Sequence, residues 1–295
     1  MFFFLFFIAL FLTPSAYSTP AKPTDKIFKE VIENAAKEQQ ELEQALNQKP
    51  QLIKDLPGIK LEGAKLPMIT AFLSPYCPHC FDLIKDLIKL DQEKTYSIQL
   101  SFSVDSKNDP DARLAAVAFW TAYQSGGKKS LSRYLEQFTK SLAARQETLH
   151  KELQNLFGEK EEWSKEELSE LTSQNNPFFN AQDLDIISKA KNESFPKQRI
   201  IHFLMQQHAY FSKEDLLKIA SKAGLTDDEN ALNTFKEFLN SPTMFEDQLN
   251  RIHETSQKLQ ISGFPIIVFE KNKQYKTILG RPRSLESLKK ELEKS

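Results

Sequence analysis

The chain has 295 residues, room for one large domain or two small ones, and its 39 Lys and Arg offset 40 Asp and Glu to a net charge of −1. Charges of both signs are spread evenly along it, which leaves no basic face for nucleic acid. Only two cysteines are present, Cys77 and Cys80, so neither has any other partner within the chain.

Residues 1–18 carry no charged side chain, and Phe2–Leu12 are apolar throughout. That run is too short for a bilayer core needing roughly twenty residues. Followed by small residues, it reads as a secretory signal peptide, with Ala16-Tyr17-Ser18 offering cleavage after Ser18. The absence of Lys and Arg ahead of the apolar block is a departure that leaves retention as an anchor as the alternative. No later apolar run is long enough to span, so the mature chain is expected to be soluble and periplasmic or otherwise exported. Export places both thiols in an oxidising compartment.

Lys22–Gln48 has helical spacing, with Ile27, Phe28, Val31, Ile32, Ala35, Leu42 and Leu46 in one stripe and Thr24 or Asp25 as a cap. The stripe packs on the domain's own surface or, in the sharper reading, against a second copy. Pro50 and Pro57-Gly58 mark turns. Leu66–Leu73 is a short apolar run suited to a buried strand, and Phe81, Leu83, Ile84, Leu87, Ile88 and Leu90 then recur at helical spacing. Tyr96–Val104 alternates as a second strand. From Asp109-Pro110 to about residue 258 the pattern is helical, interrupted at Gly126-Gly127, Asn175-Asn176-Pro177, Pro196, Gly224 and Pro242. Ser164…Glu167, Ser212…Asp215 and Thr226…Glu229 have capping-box spacing. Pro265–Glu270 and Tyr275–Leu279 read as strands joined by Lys271-Asn272-Lys273, and a last amphipathic helix follows Pro282.

The predicted architecture is α/β: a thioredoxin-like core sheet interrupted by a large all-helical insertion, plus an N-terminal helix. Its divisions are a signal peptide (1–18), an N-terminal helical extension (19–60), a thioredoxin-like domain (61–108 with 259–295) and an inserted helical domain (109–258).

Cys77-Pro78-His79-Cys80 stands where the first strand meets the first core helix. A disulfide closing so small a ring stabilises little, since the gain grows with the logarithm of loop length. The pair is therefore read as chemistry. Pro78 suits the first helical position, where its missing N–H costs nothing. Cys77 then lies over the free N–H groups of His79 and Cys80 at the positive end of the helix. That favours thiolate over thiol, and the His79 imidazole would add to it. Each tenfold gain in thiolate at neutral pH favours the dithiol by about 1.4 kcal/mol, or about 30 mV for the two-electron couple. Cys80, one turn in and beside Phe81, is expected to be buried and to act as the resolving thiol.

Other uses of the motif fit poorly. Haem attachment needs His after the second Cys, where Phe81 stands. A zinc site needs two more ligands, and His150, His202, His208 and His253 are scattered singly, so no metal is expected.

With the motif so placed, the order of elements resembles the DsbA family of thioredoxin-fold proteins, in which a helical domain interrupts the core after its second strand. Phe72–Cys80 looks like that family's active-site strand and loop. Residues 110–125 look like the start of its inserted domain, and Ile261-Ser262-Gly263-Phe264-Pro265 is similar to its cis-proline loop. The resemblance implies a cis Pro265, and a Phe264 backbone that hydrogen-bonds an extended substrate strand beside Cys77. The aromatics near the site, Phe72, Tyr76, Phe81 and Phe264, read either as the lining of a hydrophobic peptide groove or as plain core. It departs in the long N-terminal helix, in residues 142–210, in Phe264 where Val or Thr is usual, and in Ala71 where several members bury an acid. The activity implied is a thiol:disulfide oxidoreductase that donates its Cys77–Cys80 disulfide to folding secreted proteins. It would need no cofactor beyond that redox-active disulfide, and a membrane partner of the DsbB kind would reoxidise it. The alternatives are a disulfide isomerase or reductase acting as a dimer, and a non-catalytic chaperone-like or metal-binding module. The oligomeric state is left open.

Overall fold

In the computed structural model the described residues are 25–61, 67–105, 108–173, 194–227, 229–241, 243–261 and 263–294. The signal segment with its cleavage after Ser18, the cap at Thr24, the Asn175-Asn176-Pro177 break, Asp228 inside the third capping-box spacing, Pro242 and Ser262 lie outside them. The described residues form two compact units: those up to Ser132 together with those from Asn233 on, and Arg133–Leu232.

The first unit is built on five strands. They are β1 (Ile59–Lys60), β2 (Met68–Leu73), β3 (Ser97–Phe102), β6 (Ile266–Lys271) and β7 (Gln274–Leu279), in the order β1-β3-β2-β6-β7. β2 runs parallel to β3, and β6, β7 and β1 are antiparallel to their neighbours. In β2 and β3 every residue after the first is buried, as expected of a central strand covered on both faces. β6 and β7 are joined through Asn272 and Lys273, both left-handed (φ 52° and 63°). That handedness matches the twist of a two-residue hairpin.

Helices cover both faces. Among the described residues, three helices precede the long one: α1 (Asp25–Gln48), α2 (Gln51–Lys54) and α3 (Pro78–Gln92). On one face, Leu42 and Leu46 of α1 and Ile252 of the helix Glu246–Lys258 pack with Phe72, Ile266, Val268 and Tyr275. On the other, Phe119 stacks on Phe102 of β3 (centroids 5.0 Å apart) and meets Phe81 of α3 edge-on at 6.2 Å. The α1 stripe thus packs on its own unit at its C-terminal end, while Ile32 remains 66% exposed. Two features of the turn region escaped the sequence pattern. These are the single turn α2 and the two-residue β1, both too short to show a period.

Phe119 belongs to α4 (Pro110–Phe157), which is broken where the sequence places its break. Gly126 is extended (φ 178°, ψ 31°), and Gly127 takes φ 63° with ψ −148°, a region open essentially to glycine. Just beyond it, Lys128 forms a close ion pair with the fully buried Asp91 near the end of α3.

The unit Arg133–Leu232 has an apolar core of its own, with Leu149, Leu153, Phe157, Leu168, Ile200, Ile201 and Leu204 buried together. Within this largely helical region β4 (Glu162–Ser164) pairs antiparallel with β5 (Ser194–Pro196). Such three-residue strands are invisible to a periodicity argument. Both capping boxes that lie wholly within it form: Ser164 N–H donates to Glu167 (3.0 Å) and Glu167 N–H to Ser164 Oγ (3.3 Å), and Ser212 and Asp215 do the same.

Candidate active site

β2 ends at Leu73, and Ser74-Pro75-Tyr76 lead into α3, whose N-cap is Cys77 in an extended conformation (φ −86°, ψ 114°) with Pro78 as the first helical residue. The Cys77 carbonyl accepts from the N–H groups of Cys80 (3.0 Å) and Phe81 (3.4 Å), which starts the helix. The side chain of an N-cap residue faces the unpaired amides of the first turn. Here that side chain is a sulfur, and it makes no capping hydrogen bond of its own.

The two thiols are free and differ in surroundings: Cys77 is half-buried and Cys80 fully buried. The neighbouring Cys80 thiol, and then the N–H groups of Cys80 and His79, hold Cys77 below the ordinary thiol value against a burial that raises it. Cys80 goes the other way. Burial is the main cause, and the adjacent Cys77 sulfur adds to it, while one N–H, from Ser74 at 3.4 Å, partly offsets them. One sulfur is therefore accessible and favours the anion, and its neighbour is sealed and favours the proton.

Across from the motif, the Phe264–Pro265 peptide bond is cis. The Cys77 thiol points at the Phe264 carbonyl, 3.6 Å away. Pro265 is buried and its carbonyl accepts from Gly280 N–H at 2.9 Å. The Phe264 ring is half-buried against the apolar cluster under β6. Tyr76 and His79 are half-buried and Pro78 is exposed. In the lowering of the Cys77 pKa, His79 takes part through its backbone N–H. Ser74 and Gly280 were not singled out from sequence. Both act through backbone amides, which no side-chain motif announces.

Among the described residues no group of three or more His, Cys, Asp or Glu is placed to hold a metal ion, and no helix is long and apolar enough to cross a membrane.

The model of the DSBA-like thioredoxin domain matches residues 68–293, more than half of the chain. The chain belongs to the DSBA-like thioredoxin family. It is a DsbA-like thiol:disulfide oxidoreductase, and oxidoreductases of that family work with a redox-active cysteine pair rather than a bound cofactor. Among solved structures, BcfH of Salmonella enterica Typhimurium is 14% identical and superposes with a TM-score of 0.50, over 92% of this chain and 86% of that one. The thiol-disulfide exchange protein alpha-DsbA2 of Wolbachia pipientis is 14% identical, with a TM-score of 0.45, over 86% of this DsbA-like chain and 95% of its own. MdbA, a thiol-disulfide oxidoreductase from Actinomyces oris, is 13% identical, with a TM-score of 0.43, over 78% and 81%. No curated protein matches the sequence significantly.

Proposed function

We propose that this DsbA-like protein is an exported oxidase that donates a Cys77–Cys80 disulfide to folding secreted proteins. A substrate thiolate attacks the Cys77 sulfur. A bond from substrate sulfur to Cys77 forms, the Cys77–Cys80 bond breaks, and Cys80 leaves as a thiolate that takes up a proton. A second substrate thiolate then attacks the substrate sulfur of the mixed disulfide and releases Cys77 as a thiolate. The substrate loses two electrons and the enzyme pair gains them. Turnover therefore needs an electron acceptor, for which a quinone-coupled membrane partner of the DsbB kind has the right chemistry. Phe264, Pro265 and Tyr76 would bind the substrate segment beside Cys77, and neither metal nor cofactor takes part.

The observation that carries this reading is the Cys77 sulfur at the amide-rich start of α3, with Cys80 buried behind it. A thiolate stabilised in the dithiol form makes that form the better product, and so makes the disulfide the better oxidant. Equilibration in glutathione buffers, with the Cys77 thiolate followed by absorbance against pH, tests it. The expected result is a thiol titrating below the ordinary range and a potential well above that of thioredoxin, about −270 mV. An ordinary thiol pKa with a thioredoxin-like potential overturns it.

The alternative of a disulfide isomerase acting as a dimer needs a second copy of the chain, and Ile32, exposed on α1 among the described residues, is a place that such a copy would cover. Deleting α1 is a poor test, because Leu42 and Leu46 belong to the core. Sedimentation of Ile32→Asp is a clean one. A wild-type dimer that Ile32→Asp returns to the mass of one chain supports the isomerase reading, and a wild-type monomer rules it out.

A further inference from the structure

Past the end of β7, two consecutive residues join the cis-proline loop to the helix that carries the cysteines. Gly280 has φ 78°, in the left-handed region where glycine is free of strain. A Cβ there would meet nothing within 4 Å, so the backbone conformation, not space, calls for glycine. In that conformation its N–H donates to the Pro265 carbonyl at 2.9 Å. The next side chain, Arg281, turns to α3. Its Nη1 donates to Asp82 Oδ2 at 3.1 Å, and its Nη2 lies 3.6 Å from Asp86 Oδ2.

Asp82 and Asp86 stand four residues apart on one face of α3, two and six residues beyond Cys80. The Asp86 side chain is 13% exposed and that of Arg281 29%, while Asp82, the closer partner, is 43% exposed, so it is the Asp86 side of the contact that is partly removed from water. A charge-assisted contact in that setting is stronger than a pair in open solvent. A planar guanidinium reaches both carboxylates at once, which a lysine ammonium cannot do in the same way. The circuit closes at the site itself, where the Cys77 thiol points at the Phe264 carbonyl.

We propose that Arg281 is a positioning residue that holds the Phe264–Pro265 loop at its working distance from Cys77, so that an extended substrate is presented to the sulfur. The proposal rests on the reading of Cys77 and Phe264–Pro265 as the reactive sulfur and the substrate loop. Arg281 does not act on the thiolate, because the groups that lower the Cys77 pKa belong to Cys80 and His79 in the first turn of α3. Its effect should therefore divide by substrate. A peptide with cysteine in an extended segment needs the loop. Glutathione, which can reach the sulfur without strand pairing, needs it less.

The test compares both substrates with wild type, Arg281→Met and Arg281→Lys. Asp82 and Asp86 keep Lys85 (3.4 Å) and Lys89 (3.8 Å) as neighbours on their own helix, so the Met variant leaves neither carboxylate alone. For the peptide, in single-turnover reduction of the Cys77–Cys80 disulfide, Arg281→Met should lower the second-order rate constant by on the order of tenfold, well inside the hundredfold that about 1 Å of misplacement can cost. Its rate with glutathione and its Cys77 thiolate titration should match wild type, and Arg281→Lys should recover part of the loss. Equal slowing with both substrates, or no change with either, overturns the proposal. If Arg281→Met does not fold, Asp86→Asn carries the same comparison with the same expected split. If the wild type forms no mixed disulfide at Cys77 with the peptide, the reading of the site fails and the proposal falls with it. A wild type that reacts, beside variants with the wild-type substrate ratio, removes the proposal alone.

Discussion

The Cys77 thiol lies against the Cys80 thiol at the start of α3, where the N–H groups of Cys80 and His79 also favour its anion, whereas the Cys80 sulfur is sealed in the core with one N–H, from Ser74, to offset its burial. The same functional group is thereby pushed to opposite acid strengths within one helical turn. Because the folded pKa of Cys77 is depressed, its thiolate stabilises the reduced protein fully above the unfolded thiol value of about 8.5. That stability is lost as pH falls through the folded value. Denaturant unfolding of the reduced protein should therefore show stability rising with pH from the lowered folded value up to about 8.5, and Cys77→Ser should flatten that slope. An unaltered slope in the variant would mean that the sulfur is not held as an anion. His79 separates two contributions, the backbone amide and the imidazole. His79→Ala keeps the amide that faces Cys77, so absorbance titration should still find the thiol below its ordinary range. A full return to the ordinary range would assign the effect to the ring instead. The motif and the place of each sulfur in it were legible in the sequence, because an N-cap followed by proline is a local signal. The inward turn of Cys80 onto Ser74 was not, since the donor is a backbone amide of the preceding loop.

At the scale of elements, α1 closes an open edge of the sheet. β7 is an edge strand, and such an edge offers unpaired N–H and C=O groups to other chains. Three side chains at successive turns of α1 occupy them. Gln39 Nε2 donates to Thr277 C=O (2.7 Å), Thr277 N–H donates to Glu43 (3.0 Å), and Asn47 both accepts from Tyr275 N–H (2.8 Å) and donates to its C=O (3.1 Å). At about 1 kcal/mol net per hydrogen bond, Asn47→Ala should cost about 2 kcal/mol, read as a lower denaturant midpoint with an unchanged m-value. A variant with all three replaced by Ala should self-associate in light scattering, since the edge is then bare. The pair between Asp91 and Lys128 acts at the other end of α3. Its carboxylate is fully buried, and breaking a buried pair is costly, so Asp91→Ala should destabilise by about 3 kcal/mol. The sequence announced α1 as an amphipathic helix. It did not show that the polar residues Gln39, Glu43 and Asn47 also face protein, because a period of 3.6 distinguishes apolar from polar faces and says nothing about backbone groups waiting beside the polar one.

For the whole molecule, each unit has an apolar cluster of its own, one around Phe72 of β2 with Ile266 and Val268 of β6 and one around Leu153 and Phe157. Phe157→Ala should cost about 3–5 kcal/mol in unfolding experiments and leave the thiolate titration of Cys77 unmoved. A shifted titration would show the cores to be coupled. What lies within a window of some twenty residues was determined by the sequence itself: the strand-motif-helix unit at Met68–Gln92, the Gly126-Gly127 break, the capping boxes and the β6–β7 hairpin. Each follows from a side-chain period, a missing N–H or a permitted φ, all of which act between near neighbours. Tertiary structure alone decided which distant groups meet. Cys77 and Phe264 are 187 residues apart, Asp82 and Arg281 199, and Glu43 and Thr277 234. Such pairs have no local signature, because their geometry is a product of sheet order and helix packing and exists only once the intervening chain has folded.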